Sequence, residues 1–224
     1  MSEYKSLKFP KVNYIGNKEK LSPWIIENFP VKSGRVLDLF AGGSSVSFEA
    51  KKMGYEVISN DSLYSSFVVN KALIENKGVL LTETEIMKFQ TVDDSGLREK
   101  LRWLDNSLYY DFEIDELSKL VAHSLKLKTY KKYLLQTLIR RAMIRKLPYS
   151  RMNIDWNNIL KLRDEEYSYE KYGRRRAYHN EPFINHVLTD LESYNAAVFD
   201  NQRDNKAYQI RERVKRKTMR ITGS

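Results

Sequence analysis

The stretch from Arg35 to Ala50, RVLDLFAGGSSVSFEA, has the residue types that bind a small-molecule cofactor. The adjacent glycines Gly42 and Gly43 leave backbone N–H groups uncovered by a Cβ atom at the start of a helix. Asp61 lies about 20 residues after this turn, where a carboxylate can accept hydrogen bonds from ribose hydroxyls. Asp38 adds a second acceptor, which can orient the loop or bind an ammonium group. Together these features predict an adenosine-type cofactor.

Simpler roles are open to the same residues. Gly42 and Gly43 also fit an ordinary tight turn, and Asp61 fits an N-cap of the helix that follows it. The turn lacks the Lys-Ser/Thr pair of a P-loop, and its adjacent glycines do not match the dinucleotide pattern G-x-G-x-x-G. A pyrophosphate ligand is therefore disfavoured, and S-adenosylmethionine becomes the natural candidate.

The elements around the turn predict a doubly wound parallel sheet. Residues 34–39 have the apolar character of a buried strand, and residues 44–53 have apolar side chains at helical spacing up to Gly54. A second strand at residues 55–59 and a helix at residues 62–77 follow. A further helix is expected at residues 17–29, before the first strand. The order of strand, helix, strand and helix is that of a βαβ unit.

Composition and charge limit the classes of function. The chain has 224 residues, no cysteine and three histidines, so disulfides and thiolate zinc sites are excluded and a His-rich metal site is disfavoured. No signal peptide or membrane-spanning apolar run is apparent, which predicts a soluble intracellular protein. The net charge is +10, and the excess of Lys and Arg lies beyond residue 100. A polyanion such as nucleic acid would meet this later part, although an ordinary solvated basic surface has the same composition.

Two segments resemble the cofactor motifs of the D12-class, Dam-like N6-adenine DNA methyltransferases. DLFAGGSSVSFEA is similar to their glycine loop, and NYIGNKEKL, at residues 13–21, is similar to the motif that precedes it. The resemblance implies a cytoplasmic enzyme encoded by a prokaryote or a phage, with S-adenosylmethionine as cofactor. Lys18 would pair with the methionine carboxylate, unless it is an ordinary exposed lysine. The implied cofactor-binding residues are Tyr14, Gly16, Asn17, Lys18, Asp38, Phe40, Ala41, Gly42, Gly43, Ser44, Ser45 and Asp61.

The basic middle of the chain resembles the target-recognition region of a subgroup of the same family. Two helices are expected within residues 115–145, followed by loops and short elements over residues 147–181. Arginine side chains contact phosphate and guanine, whereas Tyr and Asn side chains stack on or bind bases. A solvated arginine-rich surface is the alternative. The predicted residues for binding double-stranded DNA are Arg140, Arg141, Arg145, Lys146, Tyr149, Ser150, Arg151, Asn153, Arg174, Arg175 and Arg176.

One family motif is missing from the 224 residues. The family binds the exocyclic amine of a flipped-out adenine with an Asp/Asn-Pro-Pro-Tyr/Phe loop, and this sequence has no two consecutive prolines. The nearest imitation, at residues 180–183, has Glu in place of the first Pro and no preceding apolar strand. No catalytic residue is therefore assigned to this chain. We expect a second protein subunit to carry the loop and to complete the sheet.

The resulting expectation is an α/β fold of the Rossmann-like methyltransferase type, with a partial parallel sheet and a mostly helical DNA-recognition lobe. Its expected divisions are a cofactor-binding portion at residues 1–80, the recognition lobe at residues 81–190, and a return segment with a basic tail at residues 191–224. The tail can dock the partner, bind phosphate or be solvated. A catalytically inactive DNA-binding or cofactor-sensing protein is the main alternative, and a methyltransferase for another substrate is a third reading.

Overall fold

The computed structural model describes residues 4, 6–148, 156–175 and 177–210. Ten α-helices lie in these residues, and none of them is long and apolar enough to cross a lipid bilayer. The α-helices are α1 (Ser22–Glu27), α2 (Ser45–Lys52), α3 (Tyr64–Asn70), α4 (Glu83–Met87), α5 (Leu97–Leu101), α6 (Asp111–Lys126), α7 (Thr129–Arg145), α8 (Ile159–Arg163), α9 (Glu165–Tyr172) and α10 (Phe183–Ala196). The 3₁₀ turns are Lys88–Thr91, Arg102–Leu104, Trp156–Asn158 and Ala177–Asn180, and Lys71–Glu75 is a π-helix.

Three parallel strands form one sheet in the order β1-β2-β3. β1 (Arg35–Asp38) pairs with β2 (Glu56–Asn60), and β2 pairs with β3 (Lys206–Tyr208). The predicted βαβ unit is therefore confirmed. Gly54, at a φ of +89°, follows α2 in the left-handed conformation that commonly ends a helix.

Other elements differ from the prediction. α1 has six residues instead of the 13 predicted, and the helix predicted at residues 62–77 consists of α3 and the π-helix. β3 was not predicted, because three residues are too few for a detectable period. The chain returns to the sheet through β3 after the helical region, so the sheet combines segments that are far apart in sequence.

α7 connects the sheet side of the molecule with the helical side. It packs against α3 and the π-helix on one side and against α6 and α10 on the other. Leu134, Leu135 and Leu138 of α7 are fully buried, and they belong to one apolar cluster that also contains Val57 of β2. A single hydrophobic core therefore runs from the sheet into the helices, and α7 holds the two parts in a fixed relation.

One face of the sheet and the outer edge of β1 are uncovered in the described part of the chain. Leu37 is 58% exposed, Leu39 is 52% exposed and Tyr208 is 44% exposed, whereas Val57 and Ala207 on the opposite face are buried. β1 pairs with β2 on one side, and no described strand pairs with its other side. Parallel sheets are normally covered on both faces, so an exposed apolar face and an unpaired edge are unusual for this class of sheet.

The outer edge of β3 is arranged differently. The carbonyl of Tyr208 faces β2, because it accepts from Asp61 N at 3.3 Å, so the N–H of the preceding residue points outward. That outward group, Ala207 N, donates to Glu75 Oε2 at 2.7 Å. Glu75 Oε1 accepts from Tyr130 Oη at 3.0 Å, which ties the carboxylate to α7. A side chain from the end of the π-helix therefore accepts the hydrogen bond of the outward N–H at this edge.

Lys51, on α2, is a fully buried lysine. Its Nζ donates to Leu73 O at 3.0 Å and to Asn76 O at 2.9 Å, and it lies 4.4 Å from the ring centroid of Phe199. Burial lowers the pKa of Lys51 to about 7. This ammonium group satisfies carbonyls within and just after the π-helix, where the normal helical pattern is interrupted.

The buried Lys51 predicts a rise in stability with pH. Its pKa is lower in the folded chain than in the unfolded chain, so between about pH 7 and pH 10 the unfolded state binds more protons and folding is favoured as pH rises. The slope is about 1.4 kcal/mol per pH unit. Lys51→Met should lack this component, as measured by urea unfolding at neutral pH and at about pH 9. Lys20→Met, at an exposed position, is the control. Equal slopes for Lys51→Met and wild type would contradict the prediction.

Candidate cofactor site and recognition surface

The loop between β1 and α2 is held by hydrogen bonds from β2 and α3. Ala41 N donates to Asn60 O at 2.9 Å, and Gly42 N donates to Asp61 Oδ2 at 2.8 Å. Ser44 Oγ donates to Asn70 Oδ1 at 2.9 Å. These contacts fix the loop at the carboxyl ends of the parallel strands, which is where α/β sheets of this type bind ligands.

Tyr14 packs directly on the two glycines. A Cβ atom at Gly42 would lie 2.7 Å from Tyr14 Cε1, and a Cβ atom at Gly43 would lie 2.8 Å from Tyr14 Cβ. Both distances are too short for real carbon contacts. The glycines are therefore required by a protein side chain, and Gly42 additionally has a φ of +52°, which favours glycine. The structure brings the two predicted motifs, residues 13–21 and residues 38–45, into contact.

Two carboxylates lie at the ends of β1 and β2. Asp38 Oδ2 accepts from Ser47 Oγ at 2.7 Å, and burial together with the nearby Asp61 raises the pKa of Asp38 in spite of this bond. Asp61 is buried, and its oxygens accept from Gly42 N and, at 2.9 Å, from Leu63 N. Asp61 thus anchors the loop and caps the turn before α3. Each carboxylate oxygen can accept two hydrogen bonds, so ribose binding by Asp61 stays a prediction.

The rest of the predicted cofactor set surrounds this loop. Lys18 is exposed, and its Nζ donates to Gly16 O at 3.1 Å within its own turn. Asn17 N donates to Tyr14 O at 3.1 Å, and Phe40 is 84% exposed beside the loop. Ser44 and Ser45 are buried at the start of α2. Carboxylates, hydroxyls, one ammonium and exposed aromatic surface suit an amino-acid-bearing nucleoside such as S-adenosylmethionine, and the residues present fit that group.

Three of the four cations at the end of α7 are engaged with buried carboxylates. Arg141 Nε lies 3.3 Å from Asp190 Oδ2, and Arg145 Nη2 lies 3.1 Å from Asp190 Oδ1. Lys146 is completely buried, with Nζ 2.7 Å from Glu113 Oε1 and a second bond to Glu181 O. The sequence predicts that Arg141 and Lys146 contact DNA, whereas both side chains are buried beside carboxylates, and DNA contact by these two residues stays a prediction. The guanidinium of Arg145 is also paired with a carboxylate of the protein, that of Asp190.

Glu113 is the centre of the second of these clusters. Arg163, fully buried on α8, binds Glu113 with Nη1–Oε2 at 2.8 Å and Nη2–Oε1 at 2.5 Å. Burial would raise the pKa of Glu113, but the hydrogen bonds from Arg163 and Lys146 outweigh it and hold the pKa below its usual range. The cluster was missed in the sequence. One signal was present, since Glu113 shares the buried stripe of α6 with Leu117 and Leu120 at helical spacing.

Arg140 also has a structural role. Its Nη1 donates to Val12 O at 2.6 Å and its Nη2 donates to Asn13 O at 3.2 Å, immediately before Tyr14. Burial lowers the pKa of Arg140. The sequence predicts that Arg140 contacts DNA, whereas in the structure its guanidinium is bonded to the backbone of residues 12 and 13.

The exposed part of the predicted recognition set lies after α9. Arg174 and Arg175 are exposed, and the guanidinium of Arg175 lies 5.3 Å from the ring centroid of Tyr169. Tyr169 and Tyr172 expose about half of their surface on the same short helix, at 55% and 47%. The remaining predicted residues, Tyr149, Ser150, Arg151, Asn153 and Arg176, lie outside the described residues, as does the basic tail after residue 210.

The stretch that imitates a catalytic loop, residues 180–183, is part of the structural framework. Phe183 is fully buried, and its backbone N donates to Glu116 Oε2 at 2.7 Å. Asn180 Nδ2 donates to Arg163 O at 2.9 Å. An aromatic ring in the core cannot stack on an extruded base, so this stretch does not serve as the adenine-binding loop.

Parallel strands, a glycine turn and a carboxylate after the second strand define a Rossmann-like α/β protein of the S-adenosylmethionine-dependent methyltransferase type. Residues 14–219 match the family model of the D12 class N6 adenine-specific DNA methyltransferase. The chain therefore belongs to this family.

Named relatives agree with the family. The Type II methyltransferase M2.HphI of Haemophilus parahaemolyticus is 49% identical over 203 residues, which cover 90% of this chain and 60% of the relative. Modification methylase StsI of Streptococcus sanguinis is 30% identical over 88% of this chain and 30% of its own length. The Type II methyltransferase M.FokI of Planomicrobium okeanokoites is 36% identical over 46% of this chain and 14% of its own length. The chain thus spans less than two thirds of these relatives. No solved structure was found to match it.

The contact between Tyr14 and the glycines predicts the effect of Gly43→Ala. The new Cβ would meet Tyr14 Cβ at 2.8 Å, so we expect a loss of about 1–3 kcal/mol in the free energy of unfolding, typical of overpacking. Chemical denaturation measures it. Gly78→Ala is the matched control, because nothing lies within 4 Å of its new Cβ atom. If both variants retained wild-type stability, the packing of Tyr14 on the loop would be refuted.

Proposed function

We propose that this chain is the cofactor-binding and DNA-recognition subunit of a cytoplasmic, site-specific DNA N6-adenine methyltransferase. A second polypeptide supplies the catalytic loop. The observation that carries the proposal is the uncovered face and edge of the sheet beside β1, at the strand ends where the glycine loop lies. Methyl transfer from S-adenosylmethionine to adenine then requires both chains.

The cofactor role rests on the residues around the glycine loop. When bound, S-adenosylmethionine supplies an activated methyl group for transfer to the adenine amine. Asp61 would accept from the ribose, and Lys18 would bind the methionine carboxylate. Tyr14, which already covers both glycines, would form one wall of the pocket. The work of these residues is to orient the methyl donor before DNA enters.

The need for further protein follows from the chemistry and from the sheet. An adenine amine must be held by acceptors and its base must be stacked, and the 224 residues contain no Asp/Asn-Pro-Pro-Tyr/Phe loop. Leu37 and Leu39 expose more than half of their surface on a parallel sheet. A strand pairing with β1, with helices laid over the open face, would bury this surface and place a loop beside the cofactor residues. We assign that contribution to the second polypeptide.

DNA binding is assigned to the surface after α9. Arg174 and Arg175 are exposed and carry no ion pair among the described residues, in contrast to Arg141, Arg145 and Lys146. Tyr169 stands beside Arg175, so cation and aromatic ring lie together, as is common on surfaces that bind nucleic acids. Charge at this surface would position the duplex.

Coexpression with the protein of the neighbouring reading frame tests the proposal. The purified pair should transfer tritiated methyl groups from S-adenosylmethionine to adenine N6 in duplex DNA, and each chain alone should not. Methylation by this chain alone would refute the division between two chains. Cofactor binding by a pair that never methylates DNA would instead favour the catalytically inactive, cofactor-sensing alternative.

Substitution of the exposed sheet face should separate the two chains. Leu37→Asp places a charge on the surface that the partner would bury, so we expect the pair to dissociate during size-exclusion chromatography and methylation to be lost. Leu125→Asp is the matched control, because Leu125 is 53% exposed on α6, away from the sheet. The surface would be wrongly assigned if both variants remained associated, or if both dissociated.

Removal of one exposed arginine should weaken DNA binding in a salt-dependent way. Arg175→Ala should lower the affinity for a short random-sequence duplex and reduce the salt slope of log K by about 1, as expected for a lost phosphate contact. Fluorescence anisotropy over a range of salt concentrations measures both quantities. Arg102→Ala, at a side chain that is 72% exposed near α5, should behave as wild type. An unchanged slope for Arg175→Ala would exclude this contact.

A further inference from the structure

Three successive backbone carbonyls before Tyr14 are held by side chains of the helical lobe. Tyr194 Oη, on α10, donates to Lys11 O at 2.9 Å. Arg140, on α7, donates to Val12 O at 2.6 Å and to Asn13 O at 3.2 Å. Residues 11–13 belong to no strand, so these side chains take the place that a neighbouring strand would have in fixing the segment.

This segment determines where Tyr14 lies. Val12 is buried, and its Cγ1 would be 3.6 Å from a Cβ atom at Gly43. Asn13 has a φ of +50°, a conformation that Asn tolerates better than most residues and that turns the chain toward the loop. Tyr14 then packs on Gly42 and Gly43. A shift of residues 12 and 13 would therefore move the aromatic ring that covers the glycine loop.

Arg140 is placed for this role rather than for an ion pair. No carboxylate among the described residues lies within ion-pair distance of its guanidinium, so the charge is met by the carbonyl dipoles of Val12 and Asn13. A planar guanidinium that bonds two successive carbonyls fixes both their distance and their direction, which an ammonium group cannot do. Partial burial of the guanidinium strengthens these bonds.

We propose that Arg140 is a positioning residue of the cofactor site, which acts from the recognition lobe through Asn13 on Tyr14. The inference rests on the proposed function, because it takes the pocket beside the glycine loop to bind S-adenosylmethionine. It also means that the helix leading into the recognition segment fixes one wall of the cofactor pocket. From the sequence alone, Arg140 is predicted to contact DNA, because it is an arginine in the basic middle of the chain.

Cofactor titration of Arg140 variants tests the inference. Isothermal titration calorimetry on the full chain, with the second polypeptide present if binding requires it, should show about tenfold weaker S-adenosylmethionine binding for Arg140→Met. Arg140→Lys should bind with intermediate affinity, since it keeps the charge and loses the paired geometry. Affinity for a short random-sequence duplex should stay within about twofold of wild type, because the guanidinium of Arg140 is already bonded to Val12 O and Asn13 O. Arg102→Met is the control for loss of an arginine elsewhere.

Two further measurements separate positioning from general damage. Arg140→Met and Tyr14→Ala should be non-additive in cofactor affinity, because the arginine acts through the tyrosine. Hydrogen exchange of the free chain should increase in the peptide covering residues 11–17 for Arg140→Met, and stay unchanged in α5, which packs against α6. If Arg140→Met does not fold, Arg140→Lys provides the same two readouts.

The outcomes distinguish this inference from the proposed function. Wild-type protein that binds no S-adenosylmethionine, with or without the partner, would refute the proposed function, and the exchange measurement would still decide whether Arg140 positions the segment. Unchanged exchange at residues 11–17, or normal cofactor binding by Arg140→Met with weakened DNA binding, would overturn the inference. The second result would return Arg140 to the DNA-contacting set.

Discussion

The contact of Tyr14 with Gly42 and Gly43 is the constraint on which the loop between β1 and α2 depends. It leaves no space for a Cβ atom at either position, so the loop and the segment before α1 must be adjusted to each other. The same segment is bound by Arg140 and Tyr194 from the helices. The loop, residues 11–14 and α7 are therefore joined by direct packing and hydrogen bonds.

A second constraint organises the helical side. Glu113 receives Arg163 from α8 and Lys146 from the end of α7, which are the elements on either side of residues 149–155. Buried charges are costly unless they are paired, and removal of Glu113 would leave Lys146 and Arg163 buried with carbonyl and amide oxygens but no carboxylate. The two ion pairs therefore hold the end of α7 and α8 at one carboxylate. The basic residues of this region therefore fall into two groups. Arg141 and Lys146 are buried, whereas Arg174 and Arg175 are exposed.

The sequence was informative where local pattern decides the structure. The βαβ unit follows from apolar periodicity and from the glycines placed after β1 and after α2. All of these features lie between Arg35 and Asn60. It was uninformative for LIRRAMIRK, at residues 138–146, because the exposure of Arg141 and Lys146 depends on Asp190 and Glu113, which are distant in sequence. β3 is determined by its pairing with β2 and not by its three residues. Long-range partners of this kind cannot be paired from one sequence.

The two edges of the described sheet differ in how easily a further strand could pair with them. Glu75 occupies the outward N–H of Ala207 on β3, whereas β1 has no strand beside it in the described residues. Among the described residues, a further strand can therefore be added beside β1, whereas beside β3 it would have to displace the carboxylate of Glu75 from Ala207 N. The carboxylate at the end of the π-helix thus competes with any further strand for the outward N–H of Ala207.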